Sequence, residues 1–254
     1  MHVWKREYTA ELIGTAINIF VGLSAIVFDF GKGLPMEQLI PSTETRLLIT
    51  GLIFAGSGSL VAISPFGKLS GAHINPSLSL AFWAHGKMHN QDLIGYVFAQ
   101  FIGAIIGVFL VSKLWGNYAK SVYNGMTLPG TSYSLVTVFA AEVFITFLLI
   151  LSIFMFVSSR YLMRWTPLMV WLLIAIMVWQ EAPISGTSLN PARSAAPALI
   201  TGLWRDQWLY FIAPPLGALL AVGVFRLLPR QLDVLTCKLY HSYHCRSIFR
   251  NVKH

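Results

Sequence analysis

The stretch Ser185-Gly186-Thr187-Ser188-Leu189-Asn190-Pro191-Ala192-Arg193 decides the fold, because an earlier one, Ser70-Gly71-Ala72-His73-Ile74-Asn75-Pro76-Ser77, repeats its pattern. Both read Ser-Gly-x-x-apolar-Asn-Pro-small, and both lie between long apolar segments. Polar, irregular backbone at such depth is tolerated only where it is buried in protein or lines a cavity. Asparagine is a favoured N-cap, and proline at the first helical position lacks an N–H that would have no partner there anyway. Each Asn-Pro therefore predicts the start of a short helix, over 75–85 and 190–201. The residues just before it, Gly71, Ala72 and His73 in one copy and Gly186, Thr187 and Ser188 in the other, are expected to run extended with carbonyls free to face a lumen. Two such half-helices entering from opposite sides meet N-terminus to N-terminus, presenting the Asn75 and Asn190 amides and two positive dipole ends. Such a site suits a polar neutral solute and disfavours a cation.

The rest of the chain fits a membrane setting. Its 254 residues are 56% hydrophobic and only 11% charged, with a mean hydropathy of +0.65, far from soluble averages. Six segments are long enough to span a bilayer: 8–30, 46–64, 92–115, 134–158, 166–180 and 207–228. The fifth is short, as expected of a segment that flanks a binding site. No cleavable leader is expected, since the first segment lacks a small-residue cleavage site before Asp29. Three spans plus one half-helix, occurring twice, is an odd number of crossings per half, so the halves (8–115 and 134–228) must be inverted relative to each other. The predicted fold is an all-α membrane domain occupying the whole chain, with six transmembrane helices, two re-entrant half-helices and a basic cytoplasmic tail over 229–254. Gly103 and Gly107 give the third span a close-packing face, read first as a contact within the chain.

The net charge of +8 could point to nucleic acid, but the cations sit at loop ends and in the tail, which suits an anionic lipid surface better. With both termini cytoplasmic, twelve of the lysines and arginines fall inside and five outside, with Arg193 left within the membrane. An arginine retained at membrane depth marks a functional site. Glu11 and Glu142 open the first and fourth spans in similar settings, and either a proton relay or a structural brace is open to them.

The paired motifs, the segment count and the arginine after the second motif together resemble the aquaporin, or major intrinsic protein, family over about 8–228. The resemblance implies a passive channel for water and small neutral solutes, with no cofactor, no metal and no catalysis. It also implies a homotetramer in a plasma (cytoplasmic) membrane, with a pore of its own in each subunit. By the same resemblance Glu11 and Glu142 brace the loop before each half-helix, and Asn75, Pro76, Ser77, Asn190, Pro191 and Ala192 form the paired signature. Ser77 replaces the family's alanine, and its hydroxyl is expected to satisfy a carbonyl of its own half-helix. Counting back twenty from Asn75 gives Ala55, and twelve from Asn190 gives Val178; Thr187 and Arg193 complete the implied selectivity filter. Water channels of the family carry phenylalanine and histidine at the first two positions. A wider, less polar constriction follows, closer to nodulin-like and solute-conducting members of the glycerol, urea or metalloid-acid class. A register shift could instead bring Met177 or Trp179 to the ring. Ser194 and Tyr210-Phe211 are water-channel features and support the alternative of a strictly water-selective pore.

The tail carries Cys237, His241, His244 and Cys245, spaced so that a helix would put three of them on one face, as in a soft-metal site; a disordered basic tail is the expectation. His73 is read as packing the loop rather than sensing pH. A coupled transporter would need an ionisable relay along the path, and a junction protein with an occluded pore would need bulk where Ala55 stands.

Overall fold

Capping chemistry and apolar length place the elements of the computed structural model, which describes residues 4–228 and 233–241. Helix α1 (Trp4–Phe30) is followed by a short turn, α2 (Met36–Leu39), and by α3 (Thr43–Ile63), capped by Ser42, whose hydroxyl accepts from Thr45 N–H. Helix α4 (Pro65–Ser70) leads down to the first half-helix, α5 (Pro76–Ala84). Helix α6 (Asn90–Trp115) and the small α7 (Asn117–Ser121) complete the first half. The second half comprises α8 (Leu135–Val157), α9 (Thr166–Ser185), the half-helix α10 (Pro191–Thr201) and α11 (Trp208–Leu227). Among the described residues six helices have the length and hydropathy to cross a membrane, and there is no strand.

The two halves repeat each other in packing. Helix α1 packs along α6 as α8 packs along α11, and each half-helix lies against the last span of the other half, α5 on α11 and α10 on α6. Glycines permit these approaches. A Cβ on Gly107 would stand 2.8 Å from the Ala16 carbonyl, so the glycine pair of α6 serves contact with α1. Gly217 of α11 meets the Val143 carbonyl of α8 in the corresponding way.

Three expectations change. The fifth span is not short: α9 runs on through Pro183 to Ser185, because a proline in the last turn removes only one helical hydrogen bond and Gly186, at φ +81°, ends the helix by donating to the Ala182 carbonyl. The approach to each half-helix is not plainly extended but alternates into the left-handed region at Gly71, Ala72 and Ile74, and again at Gly186, Thr187 and Leu189. The tail is neither helical nor loose over 233–241, where Val234, Thr236, Cys237, Lys238 and Leu239 are buried. His244 and Cys245 lie outside the described residues.

Candidate functional site

Each half-helix is held by one buried carboxylate. Glu11 Oε1 accepts from Ser70 Oγ (2.8 Å) and from the His73 N–H (2.9 Å), and Oε2 accepts from the Ile74 N–H (2.7 Å) and Gln100 Nε2 (2.8 Å). In the other half Glu142 accepts from Ser185 Oγ at 2.5 Å, Ser188 N–H at 2.6 Å and Leu189 N–H at 3.1 Å. Turning successive N–H groups toward one carboxylate is what forces the alternating backbone and aims carbonyls the other way. Tyrosines complete the pair: Tyr96 and Tyr210 each donate at 2.6 Å to the carbonyls of Ser70 and Ser185. Where α6 then has Gln100, four residues on, α11 has Pro214, so only the first carboxylate gains an amide.

The asparagines cap their helices and link the halves. Asn75 Oδ1 accepts from Ser77 N–H at 2.8 Å, while its Nδ2 donates to the Leu189 carbonyl at 2.9 Å. Asn190 Oδ1 accepts from the Ala192 and Arg193 N–H groups, and its Nδ2 donates to the Ile74 carbonyl at 2.9 Å. Both amides border a cavity of about 100 Å³ that runs between the two halves. Its wall includes Ala55, Val178, Thr187 and Arg193, so the four positions named from sequence share one lumen. Val178 borders the cavity, whereas Met177 joins the core and Trp179 is 37% exposed.

The other named positions lie as follows. Of the six carbonyl positions, His73, Thr187 and Ser188 border the cavity, whereas Gly71, Ala72 and Gly186 do not. The Gly71 carbonyl accepts from Leu239 N–H at 3.0 Å. Pro76, Ser77, Pro191 and Ala192 are buried in the bodies of their half-helices, off the lumen. Ser77 Oγ has no hydrogen-bond partner among the described residues, so the expected bond to a carbonyl of its own half-helix is not made. Tyr210 tethers Ser185 rather than facing the lumen, and Phe211 is 40% exposed on the outer face of α11.

Arg193 is 5% exposed and donates from Nη1 to the Gly125 carbonyl at 2.8 Å, with its Cζ 5.6 Å from the centre of the Phe54 ring. Phe54 also borders the cavity and was missed in the sequence, where only its neighbour Ala55 was counted. Behind the ring, Thr187 Oγ1 donates to Glu181 Oε2 at 2.6 Å, which leaves the threonine oxygen as an acceptor toward the lumen. Asn18, a polar residue in the first span, lies on the wall and accepts from Ser57 Oγ at 2.7 Å. At the opposite end His73 stacks on Phe82, with Nδ1 3.0 Å from Ser79 Oγ and Nε2 2.9 Å from the Cys237 carbonyl. A carbonyl can only accept, so the proton sits on Nε2. Burial pushes the Cys237 thiol up, and no cluster of three or more metal-ligating side chains occurs among the described residues.

The chain is similar to known proteins. Aquaporin NIP3-1 of Arabidopsis thaliana is 33% identical over 230 residues, covering 88% of this chain and 67% of its own. The probable aquaporin AqpM of Archaeoglobus fulgidus is 32% identical, covering 89% of this chain and 98% of its own. Aquaporin Z of Photorhabdus laumondii is 27% identical over 88% of this chain and 97% of its own. Among solved structures, the aquaglyceroporin from Plasmodium falciparum shares the fold with a TM-score of 0.72 at 23% identity, over 89% of this chain and 96% of that one. The family model described as Major intrinsic protein matches residues 1–225, and the chain belongs to that family.

Proposed function

We propose that this multi-pass membrane channel conducts water and small uncharged solutes of the glycerol, urea or metalloid-acid class, and turns back protons and other ions. It is a channel and not an enzyme, as its family is. The observation that carries the solute range is the constriction, where Ala55 and Val178 leave room and polarity is confined to Thr187 and Arg193. Arg193, Asn75 and Asn190 offer donors to a passing solute, while the Arg193 charge and two half-helix N-termini oppose a cation. Glu11 and Glu142 brace the loops in this reading, since the groups that bond their oxygens are all donors.

One observation favours a narrower, water-selective pore: the Phe54 ring, set beside Arg193, brings an aromatic side chain to the cavity wall next to Ala55. Stopped-flow light scattering on proteoliposomes, with water, glycerol and urea gradients in parallel, separates the two. Glycerol or urea flux above that of empty vesicles supports the wider pore; water flux alone supports the narrower one. In the same reading the whole chain, 1–254, is one channel domain of two inverted repeats with both ends cytoplasmic. Four copies associate in a plasma membrane, each keeping its own lumen, with lipid and small neutral solutes as the remaining partners.

A further inference from the structure

The lumen holds a third amide. Asn18 borders the same cavity as Asn75 and Asn190 and is 8% exposed, in a stretch of α1 whose neighbours are Ile17, Ile19 and Phe20. Its height in the pore follows from the way α1 and α3 run past each other: Gly22 lies against Phe54, Asn18 against Gly58, and Gly14 against Val61 and Ile74. Asn18 therefore stands one turn inward of Phe54, between the ring of Ala55, Val178, Thr187 and Arg193 and the Ile74 carbonyl to which Asn190 donates. Helix α3 is shaped to receive it. A Cβ on Gly58 would come within 3.2 Å of Asn18 Oδ1, so the glycine leaves the space that the amide fills. Ser57 beside it, 6% exposed, supplies the bond, and its single hydroxyl proton has two acceptors at 2.7 Å, Asn18 Oδ1 and the Phe54 carbonyl. With the proton on Asn18, the amide turns Nδ2 to the lumen, where it bonds nothing among the described residues. With the proton on Phe54, the amide turned over donates to Ser57 Oγ and shows its oxygen instead.

We propose that Asn18 is a specificity-determining residue of the pore, a polar rung for solutes with several hydrogen-bonding groups, such as a polyol or an amide of the urea type. Asn75 and Asn190 use their oxygens on the N–H groups of their own half-helices and offer the lumen amide protons, whereas Asn18 offers a donor or an acceptor as the solute requires. Much of the wall around it is aliphatic, with Ala55, Ile74, Ile174 and Val178, and a polar group left unpaired against such a wall costs free energy. Water in single file bonds the waters ahead and behind, so it depends little on one rung. Glycerol or urea carries more groups than its neighbours in the file can meet, and a partner between the ring and the paired asparagines keeps one of them bonded during passage.

The role of Asn18 rests on the solute-conducting reading above. The test measures glycerol, urea and water permeability in proteoliposomes of the full-length protein, as wild type, Asn18→Thr and Asn18→Val. Threonine and valine both branch at Cβ and differ by a hydroxyl in place of a methyl, so the pair changes polarity at this point of the wall while leaving its width alone. Asn18→Val should lower the glycerol-to-water and urea-to-water ratios about threefold or more, the effect of one lost hydrogen bond, while Asn18→Thr stays within about twofold of the wild type. An asparagine needed only for the α1–α3 contact would move both variants together, and would change the yield of folded protein rather than the ratios. If Asn18→Val does not fold, Asn18→Ser against Asn18→Ala reads the same difference. Equal ratios in the two members of a pair, with solute flux intact, overturn the role of Asn18 alone. Water flux without solute flux in the wild type overturns the solute range beneath it, and the role of Asn18 with it.

Discussion

Replacing each buried carboxylate by its amide should hurt the two halves unequally, and the structure gives the size of the difference. In Glu142→Gln one oxygen can still accept from Ser185 Oγ and the Ser188 N–H, but an NH₂ group then faces the Leu189 N–H, donor against donor. One buried N–H is orphaned at a cost of about 1–3 kcal/mol, and the new amide has no neighbouring glutamine that could turn to meet it, since Pro214 holds the position that Gln100 holds in the other half. Glu11→Gln orphans the Ile74 N–H in the same way, yet there Gln100 can turn its amide. Its Oε1 is without a partner at present and would accept from the new NH₂, recovering about 0.5–1.5 kcal/mol. Glu142→Gln should therefore be the less stable variant by about 0.5–1.5 kcal/mol. Adding Gln100→Leu to Glu11→Gln should erase the difference. The readout is the folded fraction left after heating in detergent, followed by size-exclusion fluorescence. A Glu11→Gln protein as unstable as Glu142→Gln, with Gln100 intact, would refute the amide argument. A Glu142→Gln protein that folds like the wild type but loses flux driven by a pH gradient would replace the brace by a proton relay.

What was legible in the sequence was what is local. Asn75-Pro76 and Asn190-Pro191 carry their own capping chemistry, so the half-helices could be placed to within a residue or two of α5 and α10. Ala55, Val178, Thr187 and Arg193, counted from the two motifs without a gap, border one cavity. Phe54 escaped because its place depends on the rotation of α3, which is set by Gly51 lying against Ala175 and Val178 of α9, a contact between halves. The end of α9 escaped because Gln180, Glu181 and Pro183 look like a helix stop; Glu181 is buried there because Thr187 bonds it. The C-terminal segment escaped most completely. Its polar, basic composition reads as disorder, while its partner His73 lies 164 residues away in the chain, beyond the reach of any periodicity or motif.

Three further outcomes are expected. Proteoliposomes carrying the wild type should show solute flux without proton conductance, because Arg193 and two half-helix N-termini place positive potential along the path; a proton current that scales with solute permeability, read with a pH-sensitive dye inside the vesicles, would contradict this. The Asp233–Lys87 pair should resist mild acid: partial burial disfavours the charge on Asp233, but the hydrogen bond and charge of Lys87 outweigh that and hold its carboxyl below the usual 3.8, while burial, Lys87 and Arg226 lower His85. A depressed carboxyl stabilises docking above its free value and loses that contribution only as pH falls through the docked one, so protection of 233–241 from proteolysis should be unchanged from pH 7 to about 5 and decline below about 4. Finally, Ala55→Phe with Val178→His puts a ring and a polar edge into the constriction, next to Phe54 and Arg193. Water needs the width of one molecule and one or two partners, whereas glycerol and urea need more room, so their flux should fall sharply relative to water. If the wild type already excludes both solutes and the double variant is no more selective, Phe54 is filling the space that Ala55 leaves, and the pore is a water channel whose aromatic ring has moved by one residue.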